Sequence, residues 1–156
     1  MAMNERLSEV LNDLIAINND RIEGYEKASE EARNIDVDLQ AIFNKMADES
    51  RKYKSELTNE VTRLGAEPET GTTGLGKVYR IWMDIKAAFT GKDRQGILNS
   101  CEYGEDAAQK AYREALASDA EIDADTRQLI TTQQAALKQS HDLIKSYRDA
   151  NKTVNA

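Results

Sequence analysis

With a formal net charge of −7 over 156 residues and a pI near 4.9, the chain offers no basic face to a phosphate backbone, and a nucleic-acid partner is not expected. No apolar run approaches the ~20 residues of a membrane span, so none is expected either. Hydrophobic residues at 40% and charged residues at 31% suit a single domain, residues 1–156, built from amphipathic helices.

The opening residues, MAMNERLSEV, lack the basic-then-apolar pattern of a secretory leader. The single cysteine, Cys101, has no partner for an internal disulfide, so a reducing, cytoplasmic setting is the expectation. The chain has one proline and eight glycines, and most of the glycines fall between residues 65 and 104. The stretches on either side are therefore free to be helical.

The first helix is predicted over residues 4–33. Leu7, Leu11, Leu14, Asn18, Ile22, Tyr25, Ala28 and Ala32 recur at three- and four-residue steps along one face. Asp36 is placed to cap the second helix, residues 36–64, because its carboxylate can accept from the free amides of the first turn. That helix carries Ile42, Phe43, Met46, Ser50, Tyr53, Leu57, Val61 and Leu64 on its inner face. Gly65 supplies a left-handed stop, and Pro68 prevents resumption. The link through Asn34 is so short that the two helices must run antiparallel.

A glycine-rich loop follows, and then a short helix over residues 75–89 with Val78, Trp82, Ile85 and Phe89 as its apolar stripe. Thr90-Gly91 breaks it, and Asp93 can cap a third long helix, residues 94–118. The inward face there reads Leu98, Cys101, Glu105, Ala108, Tyr112 and Leu116. A polar turn leads to the fourth long helix, residues 124–150, with Ile130, Gln133, Leu137, His141, Ile144 and Tyr147 inward. The tail beyond residue 150 is expected to fray.

Length decides the topology. Each long helix spans roughly 40 Å at 1.5 Å per residue. A continuous helix from residue 75 to 118 would overshoot its neighbours, so residues 66–93 must form a crossover that climbs back along the bundle. The prediction is an all-α, ferritin-like up-down-down-up four-helix bundle with a short extra helix in the long crossover.

Four stretches, NNDRIEGYEKASEEA, SRKYKSELTNEV, CEYGEDAAQKAYREAL and LKQSHDLIKSYRDAN, together resemble a bacterial family of ferritin-like four-helix-bundle domains of uncharacterised function. The resemblance covers residues 5–150 in the same order. It implies the ferritin-like fold and a loose association with bacterial stress or envelope upkeep, and no established activity.

Bundles of this type can hold metal ions between carboxylates and Glu-x-x-His pairs on facing helices. Matching heights along the two hairpins sets His141 level with Cys101 and Glu102 and gives one rough layer of Glu23 or Glu26, Glu49, Glu102 or Glu105, and His141, from which helical phase keeps Glu26, Glu49, Glu105 and His141. They form the candidate metal set, with oxygen-rich donors that suit iron or manganese. At about 100° per residue, Glu105 points inward and His141 sits about 40° from the stripe. Glu49 lies near 60° and Glu26 near 80°, while Glu23 faces outward. No Glu-x-x-His is present, because Lys52 follows Glu49 by three and Lys138 precedes His141 by three.

The main expectation is therefore no cofactor and a hydrogen-bonded polar layer, in which Tyr25, Tyr53, Tyr112 and His141 are candidate partners for Glu105. Cys101 reads as a buried small residue rather than a thiolate paired with His141. The stretch TGTTGLG lacks the strand and the Gly-Lys-Ser/Thr ending of a phosphate loop. Trp82 and Phe89 are expected to cover the bundle's side, or to make the crossover helix a homo-oligomer interface. The expected function is a non-enzymatic structural or interaction protein, stress-related by resemblance. The alternative is a carboxylate/histidine protein that binds or oxidises iron.

Overall fold

The computed structural model describes residues 2–71 and 94–155, and the side chains of 5–71 and 94–150 within them. The predicted short helix 75–89, the Thr90-Gly91 break, the Asp93 cap and the crossover aromatics lie outside the described residues. Those residues form four helices and no strand: α1 (Ala2–Ala32), α2 (Val37–Arg63), α3 (Arg94–Leu116) and α4 (Ala124–Asn155). None of these helices is long and apolar enough to cross a membrane. The last helix runs through Asn155 rather than fraying after residue 150, and no glycine or proline stands there to stop it.

The helix ends follow local chemistry. Asp36 sits in extended backbone and accepts from the Leu39 amide at 3.1 Å, satisfying one of the free donors of α2. Its second oxygen takes a hydrogen bond from Arg94 Nε at 2.8 Å, tying the start of α3 to the start of α2. Gly65 closes α2 at φ +81°, a left-handed conformation that glycine adopts without penalty. Asp123 caps α4 through the Thr126 amide at 3.1 Å.

Cross-helix bonds fix the directions. Ser29 meets Asn44, so α2 runs back along α1. Arg6 near the start of α1 meets Asp119 just beyond α3, while Asp36 beyond the end of α1 meets Arg94, so α1 and α3 are also antiparallel. Asp106 meets His141 and Tyr112 meets Gln133, so α4 returns along α3. The order is up-down-down-up. The closest packing is α1 on α2, followed by α3 on α4 and α1 on α3, whereas the backbones of α2 and α4 barely approach each other.

The core is one continuous cluster running from Leu7 to Ile144. On α1 its buried positions step by four and three through Leu7, Leu11, Leu14, Asn18, Arg21, Tyr25, Ala28 and Ala32. That is the 3.5-residue repeat of knobs-into-holes packing. Six residues expected on the inner stripes are only half-buried: Ile22, Ile42, Leu64, Leu116, His141 and Tyr147. Arg21, not Ile22, is buried on α1; Ala115, not Leu116, on α3; and Ser140, not His141, on α4.

Candidate functional site

A guanidinium lies at the centre of the bundle. Arg21 and Glu105 are almost fully buried, and Arg21 Nε donates to Glu105 Oε1 at 2.5 Å. The rest of the guanidinium is occupied as well. Nη1 donates to Ser50 Oγ at 2.7 Å and to the Met46 carbonyl at 3.3 Å, and Nη2 reaches Met46 Sδ at 3.6 Å. The guanidinium carbon also stands 5.1 Å from the Tyr25 ring centroid, within cation–π range. Tyr25 donates its hydroxyl to the same Glu105 oxygen at 2.8 Å. The other oxygen, Oε2, has no hydrogen-bond partner among the described residues.

The cluster thus joins α1, α2 and α3, and its electrostatics follow from burial. Desolvation works against the charge on Arg21, yet the Glu105 carboxylate more than offsets it and holds the pKa above the ordinary guanidinium value. Burial, and then the Glu105 charge, pushes the Tyr25 phenol well above its ordinary range, so it remains a donor. The same two causes raise the buried Cys101 thiol, which leaves it protonated and unreactive at neutral pH.

A second polar layer lies one to two turns away and touches all four helices. Asn18 Nδ2 donates to Tyr112 Oη at 2.9 Å and to the Leu14 carbonyl at 2.8 Å. Tyr112 donates to Gln133 Oε1 at 2.6 Å. Gln133 Nε2 then donates across to α2, at 3.1 Å to Glu56 and 3.3 Å to the Tyr53 carbonyl. The seam between α2 and α4 is therefore bridged by side chains where the backbones stand apart.

The structure places the four predicted metal residues in different surroundings. Glu105 is in the core, held by Arg21 and Tyr25. Glu26 is on the surface, paired with Arg51 at 2.5 Å. Glu49 is half-buried beside α4, where it accepts from Tyr53 at 3.2 Å and Ser140 at 3.5 Å. Burial and this carboxylate push Tyr53 up to about 12.

His141 lies on the α3–α4 flank, with Nε2 2.5 Å from Asp106 and Nδ1 3.1 Å from Asp142. Burial works against its charged form, but the two carboxylates outweigh it and hold its pKa above the ordinary imidazole value. Both nitrogens are engaged there, so His141 is no base for Cys101. Lys138 pairs with Asp142 at 3.0 Å and is largely exposed. Of the partners expected for Glu105, only Tyr25 is bonded to it. Tyr53 serves Glu49, and Tyr112 serves Asn18 and Gln133. Among the described residues, the group of three or more ligating side chains whose donor atoms lie within 4.8 Å of one another is Glu102, Asp106 and His141. It does not include Glu26, Glu49 or Glu105.

The principal partner of Glu105 was absent from the sequence reading. The signal that would have found Arg21 is the strict four-three step through Leu14, Asn18, Arg21, Tyr25 and Ala28, which gives the arginine a core position despite its charge.

The fold is ferritin-like. It is similar to a solved structure of a Dps1 variant from Mycobacterium smegmatis, with a TM-score of 0.79 over 94% of this chain and 97% of that chain. At 14% sequence identity the likeness is one of fold. No curated protein matches the chain. A family model described as Domain of unknown function (DUF2383) matches residues 6–118, covering most of α1 and all of α2 and α3, and the chain belongs to that family.

Proposed function

We propose that this chain is a non-enzymatic helical-bundle protein with a structural or interaction role. The Arg21–Glu105 pair carries this reading. In metal-holding bundles, ions balance the inward carboxylates. Here the balancing charge is a guanidinium supplied by α1, which cannot be deprotonated or exchanged. An incoming cation would meet that like charge in a medium of low dielectric, where repulsion is several-fold stronger than in water. The stress-related setting belongs to the same reading through the family resemblance, and the cytoplasmic location through the lone, buried thiol of Cys101.

Iron or manganese at Glu26, Glu49, Glu105 and His141 is the weaker alternative. It requires Glu105 to release Arg21 and His141 to leave its two aspartates. The test is oxidation of added ferrous iron in air by protein purified without chelators, followed in the near ultraviolet. The expected rate is that of buffer alone. Faster oxidation that disappears in a folded Glu105→Gln variant would overturn the proposal.

A further inference from the structure

We propose that Glu102, Asp106 and His141 form a divalent-cation site on the α3–α4 flank, selective for a borderline first-row ion such as zinc. The site is separate from the bundle core, so the proposal does not depend on the function of the Arg21–Glu105 layer.

Position comes first. Glu102 and Asp106 are four residues apart on α3 and so share one helical face, and His141 approaches that face from α4. The three donor atoms lie within 4.8 Å of one another. Ligands about 2.1 Å from a tetrahedral zinc stand about 3.4 Å apart. Seating an ion therefore requires Asp106 and His141 to open slightly from 2.5 Å and Glu102 to turn from Arg148 toward the ion. Water completes the coordination shell.

The orientation of the imidazole is the second observation. Asp142 holds Nδ1 at 3.1 Å, which turns Nε2 toward Asp106 and Glu102. A ligating histidine characteristically donates its other ring N–H to a carboxylate, which fixes the tautomer and raises the basicity of the ligand nitrogen. When the ion binds, the Nε2 lone pair passes to it and the Nε2 proton leaves to solvent. Glu102 and His141 are half-buried, 17% and 18% exposed, whereas Asp106 stands on the open side at 58%, where water can reach the ion.

Two cations flank the site and define its opposition. Arg148 pairs with Glu102 at 2.6 Å, and Lys138 pairs with Asp142 at 3.0 Å. Arg148 also has Asp149 at 2.9 Å as an alternative partner, so Glu102 can be released without stranding the guanidinium. Donor chemistry sets the selectivity. One imidazole with two carboxylates suits zinc and its first-row neighbours. Magnesium and calcium, which prefer all-oxygen shells, gain little from the histidine.

The test is calorimetric titration of the chelator-stripped full-length chain with zinc chloride, repeated in excess magnesium and calcium. One equivalent is expected to bind, undiminished by either hard cation. His141→Ala and Asp106→Asn should each weaken binding at least tenfold, and Asp142→Asn by about tenfold, the usual range for the carboxylate behind a ligating histidine. Arg148→Ala should tighten binding by freeing Glu102. Glu105→Gln, if folded by circular dichroism, should leave the isotherm unchanged. Zinc should also raise the melting temperature of the wild type and not that of His141→Ala. No saturable one-equivalent step, an unchanged isotherm in His141→Ala, or full competition by calcium would each overturn the proposal.

Discussion

Removing one member of the Arg21–Glu105 pair should cost far more than removing both. At an effective dielectric of 20, opposite charges with centres about 4 Å apart attract by about 4 kcal/mol. Deleting one member of such a buried pair typically costs about 3–5 kcal/mol, because the survivor keeps its desolvation penalty. In Glu105→Leu, Arg21 keeps its bonds to Ser50 and Met46 and its place over the Tyr25 ring, but it loses the only carboxylate bonded to it among the described residues.

In a chain of this size, roughly 3 °C of melting temperature accompanies each kcal/mol, so a fall of about 10–15 °C is expected. A buried carboxylate can neutralise itself by binding a proton, whereas a guanidinium cannot lose one. Arg21→Met should therefore be the milder single change. The double variant Arg21→Met/Glu105→Leu leaves no buried charge and should return to within about 1 kcal/mol of the wild type, or exceed it. Urea unfolding of the four proteins, followed by circular dichroism, gives the coupling energy directly. Single variants that lose less than about 1 kcal/mol would refute the reasoning. So would a double variant as unstable as the sum of the singles.

Tyr112→Phe strands Gln133 Oε1 in the four-helix layer and takes one of its two acceptors from Asn18 Nδ2, which keeps the Leu14 carbonyl. It should cost about 1–3 kcal/mol in the same urea assay, and an unchanged midpoint would show that the layer contributes no net stability. Asp36→Ala removes the cap of α2 and the bond from Arg94, at an expected cost of about 1 kcal/mol near pH 7. Arg94 first, and then the Leu39 amide, hold the Asp36 carboxyl below its ordinary value. Its stabilisation is therefore present above the unfolded value of about 3.9 and lost as pH falls through the lower folded value. The gap between the wild type and Asp36→Ala should close in acid, and a gap independent of pH would contradict this assignment.

Much of the architecture was legible because it rests on local rules. The Asp36 cap, the Gly65 stop and the short Asn34 link each act within a few residues, and each appears where its chemistry requires. The inward direction of Glu105 was also legible from helical phase. Its partner was not, because Arg21 and Glu105 meet across two hairpins and are 84 residues apart in sequence. Choosing apolar identity over strict phase placed Ile22 inward in place of Arg21. On α4 the same one-residue offset separates His141, which is half-buried, from Ser140, which is buried. The second hairpin also pairs one turn further along than its loop suggested. His141 was expected level with Glu102, but it bonds to Asp106, and Arg148 takes Glu102 instead.

The buried pair also bears on how the two hairpins find each other. Each hairpin joins helices adjacent in sequence, and the hairpins meet mainly through α1 on α3. Their facing stripes are heptads of similar, mostly apolar residues, and shape alone discriminates poorly between one register and the next. A slip of seven residues along α1 would bring Glu105 opposite Leu14 or Ala28, and would leave Arg21 among apolar neighbours as well. Two uncompensated charges would then be trapped at once. A polar group at a core position that penalises every register but one is the best-attested use of such residues in helical assemblies. Arg21 and Glu105 thus satisfy each other in the observed register, and a one-heptad slip would leave both without their partner.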